Sequence, residues 1–161
     1  MNMNKLTEKA QEAVATAQRL AEERRNTQLE PEHLLAALIG QEDGVVPAVL
    51  EKLGVQPKAL LQQVNKGIDG MARASGDTQL YLSPAFRRVF DAAEREAERL
   101  KDDYTSTEHF LLALADNGEN SQAGKLLRAA GVSRDKVYKA SQEVRGGQRV
   151  SSQHPEATYQ S

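Results

Sequence analysis

Apolar residues recur at intervals of three and four positions along this chain, a spacing that gathers them on one face of an α-helix. Thr7 and Ser83 lie near the starts of two long stripes of this kind, where a side-chain oxygen can accept a hydrogen bond from a free amide of the first turn. The pattern therefore predicts a long, N-capped helix in each half of the chain. The stripes comprise Leu6, Ala10, Ala13, Val14, Ala17, Leu20 and Ala21, and then Leu82, Phe86, Val89, Phe90, Ala93, Ala97 and Leu100.

Shorter apolar segments follow each stripe and predict three further helices in each half. These cover residues 29–40, 45–53 and 57–68, and then residues 105–116, 121–130 and 134–145. Gly54 and Gly131 close the third helix of each half, at a helix end that favours glycine. We therefore predict an all-α fold of about eight helices.

The two halves match each other in collinear order. A shift of 76 positions places Glu32 and His33 on Glu108 and His109. Chance does not give many such matches in order, so we infer an internal duplication. Because four short helices bury little surface alone, we expect two four-helix repeats, related by a pseudo-two-fold axis, to form one globular domain. The shift of 76 also relates Leu6, Ala17, Arg19, Ala21, Glu22, Leu35, Ala37 and Leu38 to Leu82, Ala93, Arg95, Ala97, Glu98, Leu111, Ala113 and Leu114, and a shift of 77 relates residues 49–55 to residues 126–132.

Polar segments without apolar periodicity predict the boundaries of the repeats. Residues 71–81, "MARASGDTQLY", are expected to form an exposed linker between repeat one, residues 5–70, and repeat two, residues 82–145. From Gly146 the sequence is "GGQRVSSQHPEATYQS", with almost no apolar content. We expect a double-repeat domain over residues 1–145 and a flexible linker over residues 146–161.

Composition and charge exclude several classes of function. The formal net charge is −2. Charged residues make up 27% of the chain, and basic residues alternate with acidic ones along it. We therefore expect no nucleic-acid partner, because that binding rests on a basic face. The absence of Cys excludes disulfides, thiolate nucleophiles and Cys-ligated zinc. No apolar run reaches membrane-spanning length and the N-terminus lacks the apolar region of a signal peptide, so we expect a cytoplasmic protein without membrane contact.

The repeated Glu-His pair raises the main chemical question, since two of the three His residues, His33 and His109, stand in it. A zinc-binding helix places two His four positions apart, but those positions hold Ala37 and Ala113. Adjacent helical residues also point about 100° apart, which opposes binding of one ion by both. No nucleophile elbow, Gly-rich phosphate loop or paired-carboxylate motif is present. We therefore expect no metal site, no catalytic residue and no cofactor in this chain.

The alternative is a structural role in the first turn of the second helix of each repeat. Pro31 suits the first helical position, where its missing N–H costs nothing, and a carboxylate there faces the positive end of the helix. In repeat two, Thr105 and Glu108 also fit a capping box. The two framings place the helix start one residue apart, and the sequence leaves both open.

Longer stretches carry a family resemblance. "LTEKAQEAVATAQRLAEERRNTQLEPEHLLAALIGQEDG" resembles the first repeat of the N-terminal domain of the Clp family, and "LSPAFRRVFDAAEREAERLKDDYTSTEHFLLALAD" resembles the second. The resemblance covers residues 1–145. The ending "VRGGQRVSSQHPEATYQS" is similar to the segment that leads into the first ATPase module of the ClpB branch, the bacterial protein disaggregases.

The resemblance implies a function that spacing alone does not give. ClpB-type proteins are homohexameric AAA+ ATPases that thread unfolded or aggregated polypeptide through a pore, together with the DnaK chaperone. Their N-terminal domain captures the substrate, and the modules that bind ATP and magnesium follow it in the chain. We therefore expect a substrate-binding domain that is monomeric in isolation and is not itself an enzyme.

The resemblance also implies a polar patch beside an apolar groove at the seam between the repeats. We expect the bulky residues near the seam to line the groove and the polar ones to form the patch. An alternative is the adaptor-docking or phosphoarginine-binding N-terminal domain of a ClpA- or ClpC-type unfoldase, in which paired glutamates form an acidic pocket. His109 departs from the apolar residue of ClpB relatives. The candidate substrate-binding residues are Thr7, Val14, Glu32, Phe90, Asp102, Glu108 and Phe110.

Overall fold

The computed structural model describes residues 1–76 and 79–159, which form a 3-10 turn at Met3–Lys5, nine α-helices and two short strands. The predicted all-α fold is confirmed, and α9 is a ninth helix that the sequence did not predict. The longest helices have 16 residues, and no helix of the described part is long and apolar enough to cross a membrane. The elements are α1 (Glu8–Glu23), β1 (Gln28–Leu29), α2 (Pro31–Ile39), α3 (Val45–Lys52), α4 (Pro57–Asp69), β2 (Tyr81–Leu82), α5 (Pro84–Arg99), α6 (Thr107–Ala115), α7 (Gln122–Ala129), α8 (Arg134–Arg145) and α9 (Glu156–Tyr159).

The long helices α1 and α5 begin at the caps that the sequence predicts. Thr7 Oγ1 accepts a hydrogen bond from the amide of Ala10 at 3.2 Å, and Ser83 Oγ accepts one from the amide of Phe86 at 2.9 Å. Each bond satisfies an amide that the helix itself leaves without a partner. The two repeats therefore begin in the same way.

The same two helices also end alike. Arg25 and Lys101 follow the helix ends with positive φ angles of 56° and 59°. The amides of the next residues, Asn26 and Asp102, each donate to a carbonyl five residues earlier at 2.9 Å, which closes the helix end. A left-handed residue with a side chain costs about 1 kcal/mol. The turn brings Asn26 and Asp102 to the starts of α2 and α6, where both side chains contact a histidine.

Short parallel pairings join the two repeats. Strand β1 pairs with β2, with Leu29 opposite Leu82, and an isolated bridge pairs Leu6 with Thr105. The shift of 76 converts one pair into the other with the partners exchanged, as a pseudo-two-fold axis requires. The start of each repeat is therefore paired with the other repeat rather than with its own.

Helix packing continues this exchange. Helix α3 packs against α8 and α7 packs against α4, while α2 contacts α6 across the axis. One apolar core runs through both repeats, and Phe86, Phe90 and Phe110 are fully buried in it. The rings of Phe90 and Phe110 meet edge to face, with centroids 5.5 Å apart and an interplanar angle of 61°. The two repeats therefore form one packed body.

The end of the chain departs from the prediction of a flexible linker. Residues 148–159, here named the C-terminal strap, run back over the domain and include α9. Val150 is fully buried, and its carbonyl accepts a hydrogen bond from the amide of Asp103 at 2.8 Å. The prediction is corrected for these residues. Backbone hydrogen bonds hold the segment whatever its composition, and one apolar side chain supplies burial without forming a periodic pattern.

Backbone carbonyl groups approach Gly124 of α7 so closely that they leave no room for a side chain, which allows a test of the packing of this helix. A Cβ atom on Gly124 would lie 2.7 Å from the carbonyl oxygen of Glu119 and 3.1 Å from that of Leu114. We expect Gly124→Ala to lower the free energy of unfolding, measured in urea, by about 1–3 kcal/mol. On Gly67, inside α4, a Cβ would meet only Gln122 Cγ, at 3.9 Å. Gly67→Ala should raise stability by up to about 1 kcal/mol, and equal losses in both variants would contradict the argument.

Candidate functional site

The histidines of the two Glu-His pairs hold the starts of their own helices. Nδ1 of His33 accepts a hydrogen bond from the amide of Glu30 at 2.9 Å, and Nδ1 of His109 accepts one from the amide of Ser106 at 2.7 Å. A ring nitrogen that accepts from an amide carries no proton, so the ring proton lies on Nε2. The geometry supports the structural interpretation of the pair.

The structure also decides between the two possible starting residues of the second helix of each repeat, which differ by one position. Helix α2 begins at Pro31, and α6 begins at Thr107, the equivalent position under the shift of 76. The capping box of repeat two is formed by Ser106 and His109. The box proposed from Thr105 and Glu108 is therefore displaced by one residue, because His109 takes the place of the carboxylate that the usual motif supplies.

The second ring nitrogen contacts a different group in each repeat. Nε2 of His33 lies 2.8 Å from Oδ1 of Asn26, and Nε2 of His109 lies 2.8 Å from Oδ2 of Asp102. Asn26 and Asp102 are equivalent positions under the same shift. Repeat one therefore builds this contact from neutral groups, whereas repeat two uses a carboxylate.

Arg145, from helix α8, contacts both carboxylates in repeat two. Its Nη1 lies 2.9 Å from Oδ2 of Asp102, and its Nε lies 3.1 Å from Oε2 of Glu108. The three side chains are at most 2% exposed. The shift of 77 places Ile68, a buried apolar residue of α4, at the position equivalent to Arg145. Asp102, Glu108, His109 and Arg145 form what we name the buried ionic cluster.

Opposing effects act on the ionisable groups of this cluster. Burial alone would raise the pKa of Asp102, but hydrogen bonds from His109 and the Val150 amide, with the charge of Arg145, hold that pKa below its ordinary value. Burial opposes ionisation of Glu108 in the same way, and chiefly the charge of Arg145 lowers its pKa. The cluster therefore keeps both carboxylates ionised at neutral pH.

Glu32 has a different environment, although it is the first-repeat counterpart of Glu108. Its Oε2 accepts a hydrogen bond from the amide of Ala123, at the start of α7, at 2.9 Å. Burial raises the pKa of Glu32, and this amide only partly offsets the effect. Glu32 and Glu108 therefore bind different partners, an amide and a guanidinium, and do not form a pair of equivalent carboxylates facing one opening.

Six of the seven candidate substrate-binding residues are buried, at 0–6% of their full exposure. The seventh, Asp102, is partly exposed as a residue, although its side chain is only 1% exposed. Phe90, Phe110 and Val14 lie in the core, so they line no open groove in this structure. Their role in binding stays a prediction, and it requires some covering segment to move. Sequence reasoning missed Arg145 and Asn26 as members of the histidine contacts. Asn26 could have been found from the sequence, because the shift of 76 places it at the position equivalent to the candidate residue Asp102.

An open cleft lies inside repeat one rather than at the seam. It has a volume of about 910 Å³ and is bordered by the end of α2, by α3 and by the start of α4. Its lining mixes apolar residues such as Ile39 and Leu61 with the acidic residues Glu42 and Glu51. In the described part of the chain, no group of three or more His, Asp or Glu residues is placed to hold a metal ion.

The contrast between Glu108 and Glu32 predicts unequal effects of the same substitution. Glu108→Gln leaves the buried Arg145 guanidinium with less compensation, so we expect the free energy of unfolding at pH 7 to fall by about 3 kcal/mol. Glu32→Gln retains an acceptor for the Ala123 amide and removes a charge that burial disfavours, so stability should change by less than about 1 kcal/mol. Urea unfolding of both variants measures the difference, and equal losses would show that Arg145 does not depend on Glu108.

Because His33 is buried, we expect the protein to lose stability in acid. Burial, and then the charge of Arg24, lowers the pKa of His33 to about 4 from an ordinary value of 6.5. The unfolded chain therefore binds a proton first as pH falls, and stability present above pH 6.5 is lost towards pH 4, by about 3 kcal/mol. His33→Gln retains an acceptor for the Glu30 amide and should lack this component. Unfolding of both proteins at intervals from pH 7.5 to pH 4 gives the comparison, in which parallel curves would exclude His33 as the cause.

Comparison with known proteins places the chain in a family. The Clp repeat N-terminal domain family matches residues 5–130. The chain is 37% identical to the chaperone protein ClpB of Clostridium tetani and 38% identical to that of Bdellovibrio bacteriovorus, over 99% and 96% of its length. It spans 19% and 18% of those two relatives.

Solved structures show the same fold. The N-terminal domain of Hsp104 from Candida albicans superposes with a TM-score of 0.81, at 24% identity, covering 94% of this chain and 98% of that one. A ClpV N-domain in complex with a VipB peptide superposes with a TM-score of 0.68, at 21% identity, covering 86% of each chain. The match over residues 5–130 and the identity to ClpB along the whole sequence establish that this chain belongs to the Clp repeat N-terminal domain family.

Proposed function

We propose that this chain is the substrate-binding N-terminal domain of a ClpB-type, ATP-dependent protein disaggregase. It captures unfolded or aggregated polypeptide, which AAA+ modules outside this sequence then thread. The observation that carries the proposal is the identity of 35–38% to ClpB chaperones over 96–99% of this chain. That similarity continues beyond residue 130, where the family match ends, into the C-terminal strap.

The site of capture is the seam near the buried ionic cluster. Thr7, Asp102 and Glu108 lie on segments that meet there, since the amide of Thr7 donates to the carbonyl of Thr105 at 3.0 Å. Each carboxylate of the cluster contacts Arg145, so an apolar segment of unfolded chain meets no carboxylate without a partner there. Weak and reversible contact suits the function, because the captured chain must be passed on.

The remaining parts of the machine are proposed from the same relationship. The chain contains no G-x-x-x-x-G-K-[ST] phosphate loop, and we expect no ATP hydrolysis by this domain alone. ATP and magnesium belong to the AAA+ modules, which also form the homohexamer and work with DnaK in the cytoplasm. The isolated domain is a monomer.

The alternative, an acidic pocket for phosphoarginine, has less support from the geometry. It requires the carboxylates of Glu32 and Glu108 to be free for a ligand. Both are buried, and each already accepts a hydrogen bond, from the Ala123 amide and from Arg145 respectively. A ligand would have to break these bonds first.

Titration of the isotope-labelled chain with an unfolded polypeptide tests the proposal by NMR. Reduced and carboxymethylated α-lactalbumin is a suitable ligand, and the native, disulfide-intact protein is its matched control. We expect saturable amide shifts at Thr7 and along residues 101–108 with the unfolded form and none with the native form. Shifts confined to the repeat-one cleft would contradict the placement, and no shifts at millimolar ligand would contradict the function.

A further inference from the structure

The C-terminal strap occupies a surface formed by residues 4–8 and 101–103. The amide of Val150 donates to Oδ1 of Asp102 at 2.9 Å, and the amide of Asp103 donates to the Val150 carbonyl at 2.8 Å. Further along, the amide of Glu8 donates to the carbonyl of Gln153 at 3.0 Å. The strap therefore lies extended across the junction of the two repeats, and we name this surface the strap groove.

Some of the contacts in the strap groove do not depend on the sequence of the strap. Three of them use the main chain of the strap, which any extended polypeptide offers. Other contacts use side chains of the strap. Val150 is fully buried, and the Arg149 Nε donates to the carbonyl of Lys101 at 2.8 Å. Nearer α9, Gln153 Nε2 donates to the carbonyl of Leu6 at 3.4 Å, and His154 Nε2 lies 2.8 Å from Glu8 Oε1. An extended segment with an aliphatic residue preceded by a basic one reproduces the main-chain bonds and the contacts of Val150 and Arg149.

Repeat one shows which part of this arrangement is general. The linker after α4 docks at the equivalent place, where Arg73 forms an antiparallel bridge with Asn26 and the amide of Ala74 donates to the carbonyl of Arg25 at 2.8 Å. Arg73 is exposed there, whereas its counterpart Val150 is buried. Docking of a segment through main-chain hydrogen bonds is therefore common to both repeats, although the bonds join different positions. Burial of an aliphatic side chain at the docked position is found in the second repeat.

The far end of the strap docks at a cost. Helix α9 packs on α8, and Glu156 lies near enough to Glu108 that burial and this second carboxylate raise the pKa of Glu156. Tyr159 is partly buried beside the same cluster, and burial raises the pKa of its hydroxyl. Like charges and a desolvated hydroxyl weaken docking of this end, which favours release of the strap as a unit.

We propose that the strap groove is a binding site for extended polypeptide, and that the strap is its intramolecular occupant. An incoming segment with a basic residue followed by an aliphatic one pairs with the backbone at Asp103 and Glu8 and displaces the strap. The inference deepens the proposed function, on which it rests for the class of ligand. It also explains how candidate residues whose side chains are buried, such as Asp102, become accessible without unfolding of the core.

Hydrogen exchange of the unaltered chain tests the displacement. The amides of Val150, Asp103 and Glu8 each bond across the groove, so a segment that displaces the strap should speed exchange at Val150. The amides of Asp103 and Glu8 should shift while staying protected, because the new segment replaces their acceptors. Unchanged exchange and shifts at all three amides, with carboxymethylated α-lactalbumin bound, would overturn the inference.

A pair of strap variants gives a second test. Val150→Asp places a carboxylate against Asp102 and releases the strap, whereas Ser151→Asp adds the same charge at an exposed neighbouring position. We expect Val150→Asp to bind the unfolded polypeptide about tenfold more tightly than wild type, the gain that follows when an occupant filling nine-tenths of the sites is removed. Ser151→Asp should bind like wild type. Equal affinities for all three proteins would overturn the inference and leave the proposed function standing.

A peptide supplied in trans separates this inference from the proposed function. The peptide QRVSSQHPEATY, residues 148–159, should bind the intact Val150→Asp chain, and the peptide with Asp in place of Val should not. Circular dichroism and thermal unfolding of the variant show whether its helical core is intact. If unfolded polypeptide binds no form of the chain, the proposed function fails. The peptide experiment still tests the strap groove separately: binding of the peptide supports the groove as a binding site, and absence of binding overturns that inference.

Discussion

The reciprocal pairing of the two repeats is the constraint on which the rest of this structure depends. Leu29 pairs with Leu82 and Leu6 pairs with Thr105, so each repeat begins by hydrogen bonding to the other. Neither repeat can satisfy these backbone groups alone, and each buries its apolar face against its partner. The duplicated sequence therefore folds as one cooperative unit. The same exchange brings the start of α1 beside the loop before α6, where the candidate site lies.

Two chemical solutions to one packing problem stand side by side in this fold. In repeat one, His33 contacts Asn26, and the position equivalent to Arg145 is the apolar residue Ile68. In repeat two, His109 contacts Asp102, and Arg145 contacts both carboxylates. A neutral version is therefore sufficient for the architecture, and buried ions usually add little net stability. The charges of repeat two are therefore better explained by the segment that binds beside them, here the C-terminal strap, than by the needs of the fold.

Periodicity and caps made most of the helices predictable from sequence, because both are local. Thr7 and Ser83 cap the helices as predicted, and α8 has the predicted bounds. Two of the missed features have different causes. The shifted capping box is local, but it depends on a histidine ring that accepts an amide bond in place of the usual carboxylate. The strap depends on main-chain bonds to residues distant in sequence, and such bonds leave no pattern in composition.

Asp102 connects the buried ionic cluster to the surface, because its two oxygens serve different parts of the molecule. Oδ2 contacts His109 and Arg145, while Oδ1 accepts the amide of Val150 in the strap. Removing the strap takes away one of the bonds that favour the ionised form, and rearranging the cluster changes the acceptor offered to the strap. By linkage, any group that competes with the strap also acts on the cluster, and the reverse holds with equal free energy. Asn26 makes the equivalent two contacts in repeat one, because its oxygen contacts His33 and its amide nitrogen donates to the carbonyl of Ala72 in the docked linker, but Asn26 carries no charge. The second repeat alone therefore joins an ionic interior to a displaceable segment.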